Sequence, residues 1–113
     1  MSKADKKSLS LVGLAAKAGR IASGEFQTEA AVKDGTAKLV LVAEDASENT
    51  KKLFRDKCSF YRVPLCFIGT KEELGAVIGK EYRASVAVLD EGFAKAVQKK
   101  INEQISQDNN GGK

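Results

Sequence analysis

Histidine is absent from this chain of 113 residues, and its absence removes most of the familiar catalytic arrangements. The usual general base, metal ligand and triad partner are all missing. No Gly-x-Gly-x-x-Gly motif occurs, and the segment Gly75-Ala-Val-Ile-Gly79-Lys80 falls short of a phosphate loop. It has one residue too few between its glycines and no Ser or Thr after Lys80. We therefore expect neither enzymatic activity nor a cofactor.

Cysteine is scarce, and long hydrophobic runs are missing. Cys58 and Cys66 form no Cys-x-x-Cys pair and lie among apolar residues, which predicts free, buried thiols rather than a disulfide or a metal site. No apolar run approaches the ~20 residues that a membrane span requires. Nothing at the N-terminus resembles a signal peptide. We expect a cytoplasmic protein that is monomeric and has no membrane partner.

The net charge of the chain is positive, but its magnitude does not distinguish a nucleic-acid-binding protein from an ordinary soluble one. A net charge of +4 with a pI near 9.1 fits a solvated surface about as well as nucleic-acid binding. Residues 1–7 hold Lys3, Lys6 and Lys7 and are predicted to form a loose basic N-terminal arm. Residues 106–113 contain no apolar side chain and are predicted to be disordered. This leaves residues 8–105 as a single domain.

Helical and strand patterns alternate within that domain. Five helices are predicted: from the cap Ser8 to the stop at Gly19, over 25–34, over 46–58, over 71–78, and from Asp90 onward. In the last helix Phe93, Val97, Ile101 and Ile105 recur every four residues. Apolar runs at 37–43, 65–68 and 85–89 predict strands, with a short further segment at 20–23. The alternation favours an α/β fold, a three-layer α/β/α sandwich around a small, mostly four-stranded mixed sheet.

The junction after the first of those strands is the most informative part of the pattern. Residues 39–43 are an unbroken apolar run, which predicts a strand buried on both faces. Asp45 and Glu48 follow at the spacing of an N-cap and its reciprocal partner, and Thr70 with Glu73 repeats that spacing. In open α/β sheets such a strand-to-helix junction is where ligands bind.

Four segments carry a family resemblance. They are GLAAKAGRIASGE (13–25), AKLVLVAEDASENTKK (37–52), YRVP (61–64) and TKEELGAVIGK (70–80). With these four segments in this order, residues 8–94 resemble the kink-turn-binding ribosomal proteins of the L-seven-Ae and L-thirty-e superfamily. Within that superfamily the resemblance is strongest to the bacterial YlxQ-type branch. The resemblance implies the α/β/α sandwich and a structured RNA partner, with ribosomal RNA as one candidate.

In that family the RNA lies against the N-terminus of the second helix. Gly24 matches the family glycine, where the lack of a Cβ lets the backbone approach a phosphate, and Glu25 follows it. Gln27 matches a Glu or Gln that reaches a base edge. Phe26 replaces an Asn or Lys, and Ala30 replaces a Lys. Gln27 could instead be an ordinary exposed residue, and Phe26 could stack on a base or belong to the core.

Two further contact surfaces are implied by the resemblance. Ser47, Lys51 and Lys71 would cradle a base turned out of the RNA, or would be solvated residues at helix ends. The loop of Lys80, Glu81, Tyr82 and Arg83 would pack on a widened groove, with Tyr82 stacking and Arg83 clamping a phosphate. The alternatives are that Tyr82 covers the sheet and that Arg83 pairs with Glu81. Arg20 and Lys38 are expected to flank the binding face and steer phosphates.

The sequence therefore predicts a non-catalytic RNA-binding protein that recognises a kink-turn or a kinked internal loop. Phe26 and Ala30 favour a second interpretation, a ribosome-associated or protein-interaction adaptor that keeps the fold with weakened RNA binding. A small enzyme acting on RNA or nucleotides is a third, since carboxylates and lysines can act without histidine.

Overall fold

Helices and strands alternate along the chain in the computed structural model, which describes the backbone of residues 3–111 and the side chains of residues 6–103. The elements are α1 (Lys3–Lys17), β1 (Ile21–Ser23), α2 (Glu25–Asp34), β2 (Leu39–Val42), α3 (Glu48–Tyr61), β3 (Leu65–Phe67), α4 (Lys71–Val77), β4 (Ser85–Val88) and α5 (Glu91–Gly111).

The four strands form one mixed sheet in the order β1-β4-β2-β3. β2 pairs with β3 in parallel, and β4 lies antiparallel between β1 and β2. Every residue of β2 and β4 is buried, as expected for central strands covered on both faces. The parallel pair is joined through α3, the crossover that the alternating pattern predicts.

Helices cover both faces of this sheet. α1 packs against α5 and α4, whereas α2 packs against α3 and against β4. Fully buried side chains from both groups, Val12 and Leu74 in one and Val32 and Phe54 in the other, complete the core. The predicted three-layer α/β/α sandwich is confirmed.

Both ends of the chain are more helical than predicted. α1 begins at Lys3, so the arm predicted to be loose over residues 1–7 is helical from Lys3 on, and Ser8 is a buried residue within α1 rather than its cap. The Lys and Ala residues of this segment favour helix, which explains the earlier start. Met1 and Ser2 lie outside the described residues.

At the other end α5 continues to Gly111, so the tail predicted to be disordered over residues 106–113 is helical as far as it is described. Extending a helix already packed through Ala94 and Val97 costs far less than starting a new one. Ile105, which continues the four-residue spacing of Phe93, Val97 and Ile101, lies outside the described side chains, and residues 112–113 lie outside the described residues altogether.

The start of α3 differs from the prediction. Its cap is Ser47, whose Oγ accepts a hydrogen bond from the Thr50 backbone N–H at 3.2 Å, and not Asp45. The helix also runs to Tyr61, three residues past the predicted end. By contrast, the bounds predicted for α2 and the capping box of Thr70 and Glu73 are confirmed.

The two cysteines are free thiols, as predicted, with Cys58 buried and Cys66 half-buried. Burial raises the pKa of the Cys58 thiol to about 11 and also raises the pKa of the Cys66 thiol. Both thiols are therefore protonated and weakly nucleophilic near neutral pH. Over the described residues, no helix combines the length and apolar character needed to cross a bilayer.

Candidate nucleic-acid interface

One end of the sheet gathers most of the side chains that the sequence singled out. β1, β2 and β3 all end there, and β4 begins there, since Ser23 pairs with Val86 and Val42 pairs with both Ser85 and Phe67. We call this edge and the helix starts beside it the interface end. The opposite edge, where β2 and β3 begin, is the distal end.

The N-terminus of α2 lies at the interface end without a side-chain cap. Gly24 precedes the helix with φ 89° and ψ 158°, a backbone conformation that residues other than glycine rarely adopt. The Gly24 N–H donates to the Ser85 carbonyl at 3.0 Å. A Cβ built on Gly24 would find no atom within 4 Å, so this position faces open space. The N–H groups of residues 25–27 have no intrahelical acceptor and can receive an anion.

Phe26 stands exposed beside this helix start. Its side chain is 80% accessible, so the interpretation of Phe26 as a core residue is wrong. The buried residues of α2 are Thr28, Ala31 and Val32, which place the stripe facing the sheet on another side of the helix. Gln27 is exposed as well, and Ala30, one turn after Phe26, is half-buried.

A short chain of hydrogen bonds joins the starts of α2 and α3. Thr50 Oγ1 donates to the Glu25 carboxylate at 3.3 Å and accepts from the Ser47 hydroxyl at 3.0 Å. Glu25 and Ser47, predicted to belong to two separate contact surfaces, thus lie on one continuous face. Lys51 lies one turn into α3, where its ammonium is 3.8 Å from the Glu48 carboxylate.

A hydrogen bond to Asp45 holds the start of α4 at the interface end. The Asp45 Oδ1 accepts from the Lys71 backbone N–H at 2.8 Å, across 26 positions of sequence. Asp45 therefore binds the first N–H of α4, whose N-cap is Thr70, and does not cap α3, which corrects the role expected from its spacing to Glu48. The Lys71 carbonyl in turn accepts from the Arg83 N–H at 3.0 Å. The side chain of Lys71 is half-buried and makes no ion pair within the described part of the chain.

The loop of residues 80–83 lies against α4 at close range. A Cβ on Gly75 would stand 2.6 Å from the Glu81 carbonyl oxygen, so only glycine permits this approach. The Arg83 Nε donates to the Ser23 hydroxyl at 3.2 Å, and its Nη1 donates to the Tyr82 carbonyl at 2.7 Å. These bonds fix the loop to the last residue of β1, directly before Gly24.

Both alternatives considered for this loop are wrong. Tyr82 is 60% exposed and does not cover the sheet. Arg83 bonds to Ser23 and to the Tyr82 carbonyl rather than to the Glu81 carboxylate. Lys80 and Glu81 are exposed. The loop thus presents an aromatic face, with a guanidinium beside it that is held in place.

Arg20 and Lys38 are not part of this surface. The Arg20 carbonyl accepts from the Leu89 N–H, and the Lys38 N–H donates to the Val88 carbonyl, so both residues lie at the distal end. Arg20 precedes Gly24 by four residues of extended chain, or ~13 Å. This position differs from the expectation that they flank the start of α2, because β1 and β2 run from the distal end to the interface end.

Four residues that organise the interface end were not among the predicted site residues: Ser23, Asp45, Thr50 and Ser85. Asp45 carried a signal, as the second of two adjacent carboxylates shortly after a buried strand, but its spacing to Glu48 suggested the wrong helix. Ser23, Thr50 and Ser85 act through bonds to residues distant in sequence, for which no local pattern exists. Among the described residues, no group of three or more acidic or cysteine side chains could hold a metal ion.

Comparison with known proteins identifies the relationship. The model of the ribosomal protein L7Ae/L30e/S12e/Gadd45 family matches residues 6–98, a span that holds every strand, all of α2, α3 and α4, most of α1 and the first turns of α5. The chain belongs to this family. The family predicted from the four sequence segments is thereby confirmed.

Two similar proteins share the name RNA-binding protein YlxQ. The one from Bacillus subtilis (strain 168) is 48% identical over 84 residues, which are 74% of this chain and 84% of the relative. The one from Enterococcus faecium is 43% identical over 96 residues, covering 85% and 92% of the two chains. A solved structure, described as a protein with unknown function from Bacillus halodurans C, superposes with a TM-score of 0.82 at 41% identity, over 85% of this chain and 97% of that one. The chain is a YlxQ-type member of the family.

Proposed function

We propose that this domain binds structured RNA, a kink-turn or a kinked internal loop, at the interface end and that it catalyses no reaction. One observation carries the proposal. α2 starts at an uncapped glycine that faces open space, and a phenylalanine that is 80% exposed stands two residues further on. A bare helix N-terminus attracts phosphate, and an exposed ring offers a face to an unstacked base.

The first contact would be made by the start of α2. A phosphate near Gly24 would accept hydrogen bonds from the N–H groups of residues 25–27, a geometry that a Cβ at position 24 would obstruct. Phe26 would stack on a base exposed by the kink, and the Gln27 amide would reach a base edge. A regular duplex keeps its bases stacked, so this contact would favour kinked RNA.

A second contact would be made by the 80–83 loop together with α3 and α4. Lys71, Lys80 and Arg83 would neutralise phosphates, with Arg83 held ready by its bond to Ser23. The Tyr82 ring would stack on a base at the opened groove. Ser47 and Lys51 lie on the face shared with Glu25 and would line the position of a base turned out of the helix.

The relatives support this function without fixing the target. Two of them carry RNA binding in their names, and the family is named for ribosomal proteins. Ribosomal RNA is therefore a candidate partner. We further propose that the protein acts in the cytoplasm as a monomer.

Phe26 also favours a second candidate, a ribosome-associated or protein-interaction adaptor. An exposed phenylalanine where the family pattern has Asn or Lys is equally suited to a protein partner, and Ala30 removes the family's downstream charge. In that case the fold would be retained while RNA affinity is weak.

A gel-shift titration separates the two candidates. The protein is titrated against a kink-turn RNA and against an unkinked duplex of equal length and composition. We expect tighter binding to the kink-turn and a reduced preference for it in Phe26→Ala. Equal, weak binding to both RNAs would favour the adaptor, and turnover of the labelled RNA would contradict the non-enzymatic assignment.

A further inference from the structure

An open cleft of about 470 Å³ lies at the distal end, away from the surface proposed above. It is bounded by the last turns of α2 and α3, by the residues that lead into β2 and β3, and by the first turns of α5. The charged side chains that line it are four basic residues and one carboxylate, namely Lys33, Lys38, Arg62, Lys95 and Glu91. The cleft is therefore basic.

Two of these cations are not matched by a carboxylate. Lys33 pairs with Glu29 at 3.3 Å, and Lys95 pairs with Glu91 at 3.4 Å. Lys38 Nζ donates to the Gly35 carbonyl at 3.3 Å, whereas the Arg62 guanidinium makes no hydrogen bond or ion pair within the described part of the chain. The charges of Lys38 and Arg62 are available to an anionic ligand.

A pair of aromatic side chains forms the rim of this cleft. Tyr61 lines it and is 41% exposed, and Phe60 beside it is 78% exposed. The two rings meet edge to face, with centroids 4.9 Å apart and planes at 75°. Both rings also border a neighbouring depression with Leu53, Asp56 and Lys57, so the pair stands as a ridge between two hollows.

We propose that this ridge and the basic cleft form a second RNA site, which takes a single-stranded segment. A base stacks on Phe60 or Tyr61 while Lys38 and Arg62 contact the phosphates on the cleft side. Exposed rings beside cations are the means by which proteins hold single strands without reading their sequence.

The shape of the surface favours a single strand over other nucleic-acid ligands. A duplex has its bases stacked inside and offers no face to the ridge. A mononucleotide in the cleft would leave Phe60, on the outer side of Tyr61, without a contact. The site takes its ligand class, RNA, from the proposed function, but it requires nothing of the interface end.

The test uses fluorescence anisotropy with a labelled oligouridylate of about eight nucleotides, a length within the usual range of single-strand sites. We expect Phe60→Ala to weaken binding about tenfold through lost stacking. Arg62→Gly should weaken it and lower the log–log salt slope by about 0.7, the value for one phosphate on a single strand. Arg62 has φ 59°, which glycine adopts readily, so this variant removes the charge without disturbing the fold.

Two controls define the outcomes. Lys17→Ala removes an exposed charge from α1, outside the cleft, and should leave oligouridylate binding unchanged apart from a small electrostatic effect. Phe60→Tyr retains a stacking face and should bind like the parent. Oligouridylate binding that is absent, or that is indifferent to both Phe60→Ala and Arg62→Gly while both variants melt like the parent, would overturn the proposal.

A blunt-ended kink-turn RNA titrated in parallel separates this inference from the proposed function. We expect Phe60→Ala to bind that RNA as tightly as the parent does. If the kink-turn fails to bind while oligouridylate binding still depends on Phe60 and Arg62, the interface-end proposal fails and this one stands. If Phe26→Ala abolishes oligouridylate binding and Phe60→Ala does not, the domain has a single RNA site and this inference is wrong.

Discussion

The two ends of the sheet present opposite ends of the same helices. α2 and α3 begin at the interface end, at Gly24 and Ser47, and finish at the distal end, at Gly35 and Arg62. Helix starts carry partial positive charge and helix ends carry partial negative charge. The interface end can therefore attract phosphate with its backbone, whereas the distal end must do so with the side chains of Lys38 and Arg62.

The ends also differ in how they are held together. At the interface end, hydrogen bonds join residues far apart in sequence, as in Asp45 with Lys71 and Arg83 with Ser23. At the distal end, the side-chain pairs that involve lining residues span only three or four positions, as in Lys38 with Gly35. Long-range bonds fix several elements relative to one another. The interface end is thus the more preorganised surface, which suits recognition of RNA shape.

The largest expected effect comes from adding one methyl group at either end of α2. Gly24 and Gly35 have φ values of 89° and 84°, and neither position has an atom within 4 Å of an added Cβ. Gly24→Ala and Gly35→Ala should each lower the free energy of unfolding by about 1–3 kcal/mol through backbone strain. Only Gly24→Ala should also weaken kink-turn binding, on the order of 100-fold, by obstructing charge-assisted bonds to phosphate.

Thermal melting and gel-shift titration of the two variants provide the check. Equal losses of RNA affinity in both would mean that stability, and not the position of the methyl group, controls binding. That result would remove the distinction between the two ends of α2.

A smaller effect is expected from truncating the two most exposed aromatic residues, one at each end. Phe26 is 80% exposed and Phe60 is 78% exposed, so neither Phe26→Ala nor Phe60→Ala should lower the melting temperature appreciably. Phe26→Ala should weaken kink-turn binding about tenfold, the loss of one base stack. A large fall in melting temperature for Phe26→Ala would show that the ring packs in solution and that the surface is not the one described.

Removing a single lysine should weaken RNA binding less than removing an aromatic ring. Lys71→Ala should weaken kink-turn binding a few-fold and flatten the salt slope by about one unit, at a cost of less than about 0.5 kcal/mol in stability. Lys99→Ala, on α5, removes the same charge elsewhere and serves as the matched control. If Lys71→Ala lowers melting temperature and binding together, Lys71 is a structural residue.

The smallest expected effect is an increase in RNA affinity, produced by a substitution in α2. Ala30 is half-buried one turn after Phe26, where the family pattern has a lysine. Ala30→Lys should tighten kink-turn binding a few-fold and steepen the salt slope by roughly 0.9, corresponding to one added phosphate contact. Binding that stays unchanged at every salt concentration would place α2 away from the RNA and favour the adaptor.

The fold was predictable because its signals are local. The unbroken apolar run of residues 39–43 predicts the buried β2, and Gly24 and Gly35 mark both ends of α2 correctly. The exposure of Phe26 was also accessible from the sequence. Thr28, Ala31 and Val32 recur at helical spacing, and position 26 falls outside their stripe. The placement of Phe26 in the core followed only from its being an apolar residue, and not from its position on the helix.

The errors concern relations between distant segments. Asp45 has the correct spacing to cap α3, yet it bonds to Lys71, 26 positions away. No periodicity encodes that choice, since it depends on where β2 and the start of α4 meet. Arg20 and Lys38 were misplaced for the same reason, because strand direction decides which end of the sheet a flanking residue occupies.

The most direct test of the central claim is a titration of ¹⁵N-labelled protein with blunt-ended kink-turn RNA, followed by amide chemical shifts. The claim is that kinked RNA docks on the start of α2 and the 80–83 loop. We expect the largest shift changes at the amides of residues 24–27 and 80–83, with little change at Gly35 and Arg62. Changes concentrated at the distal end, with residues 24–27 unmoved at saturating RNA, would contradict it.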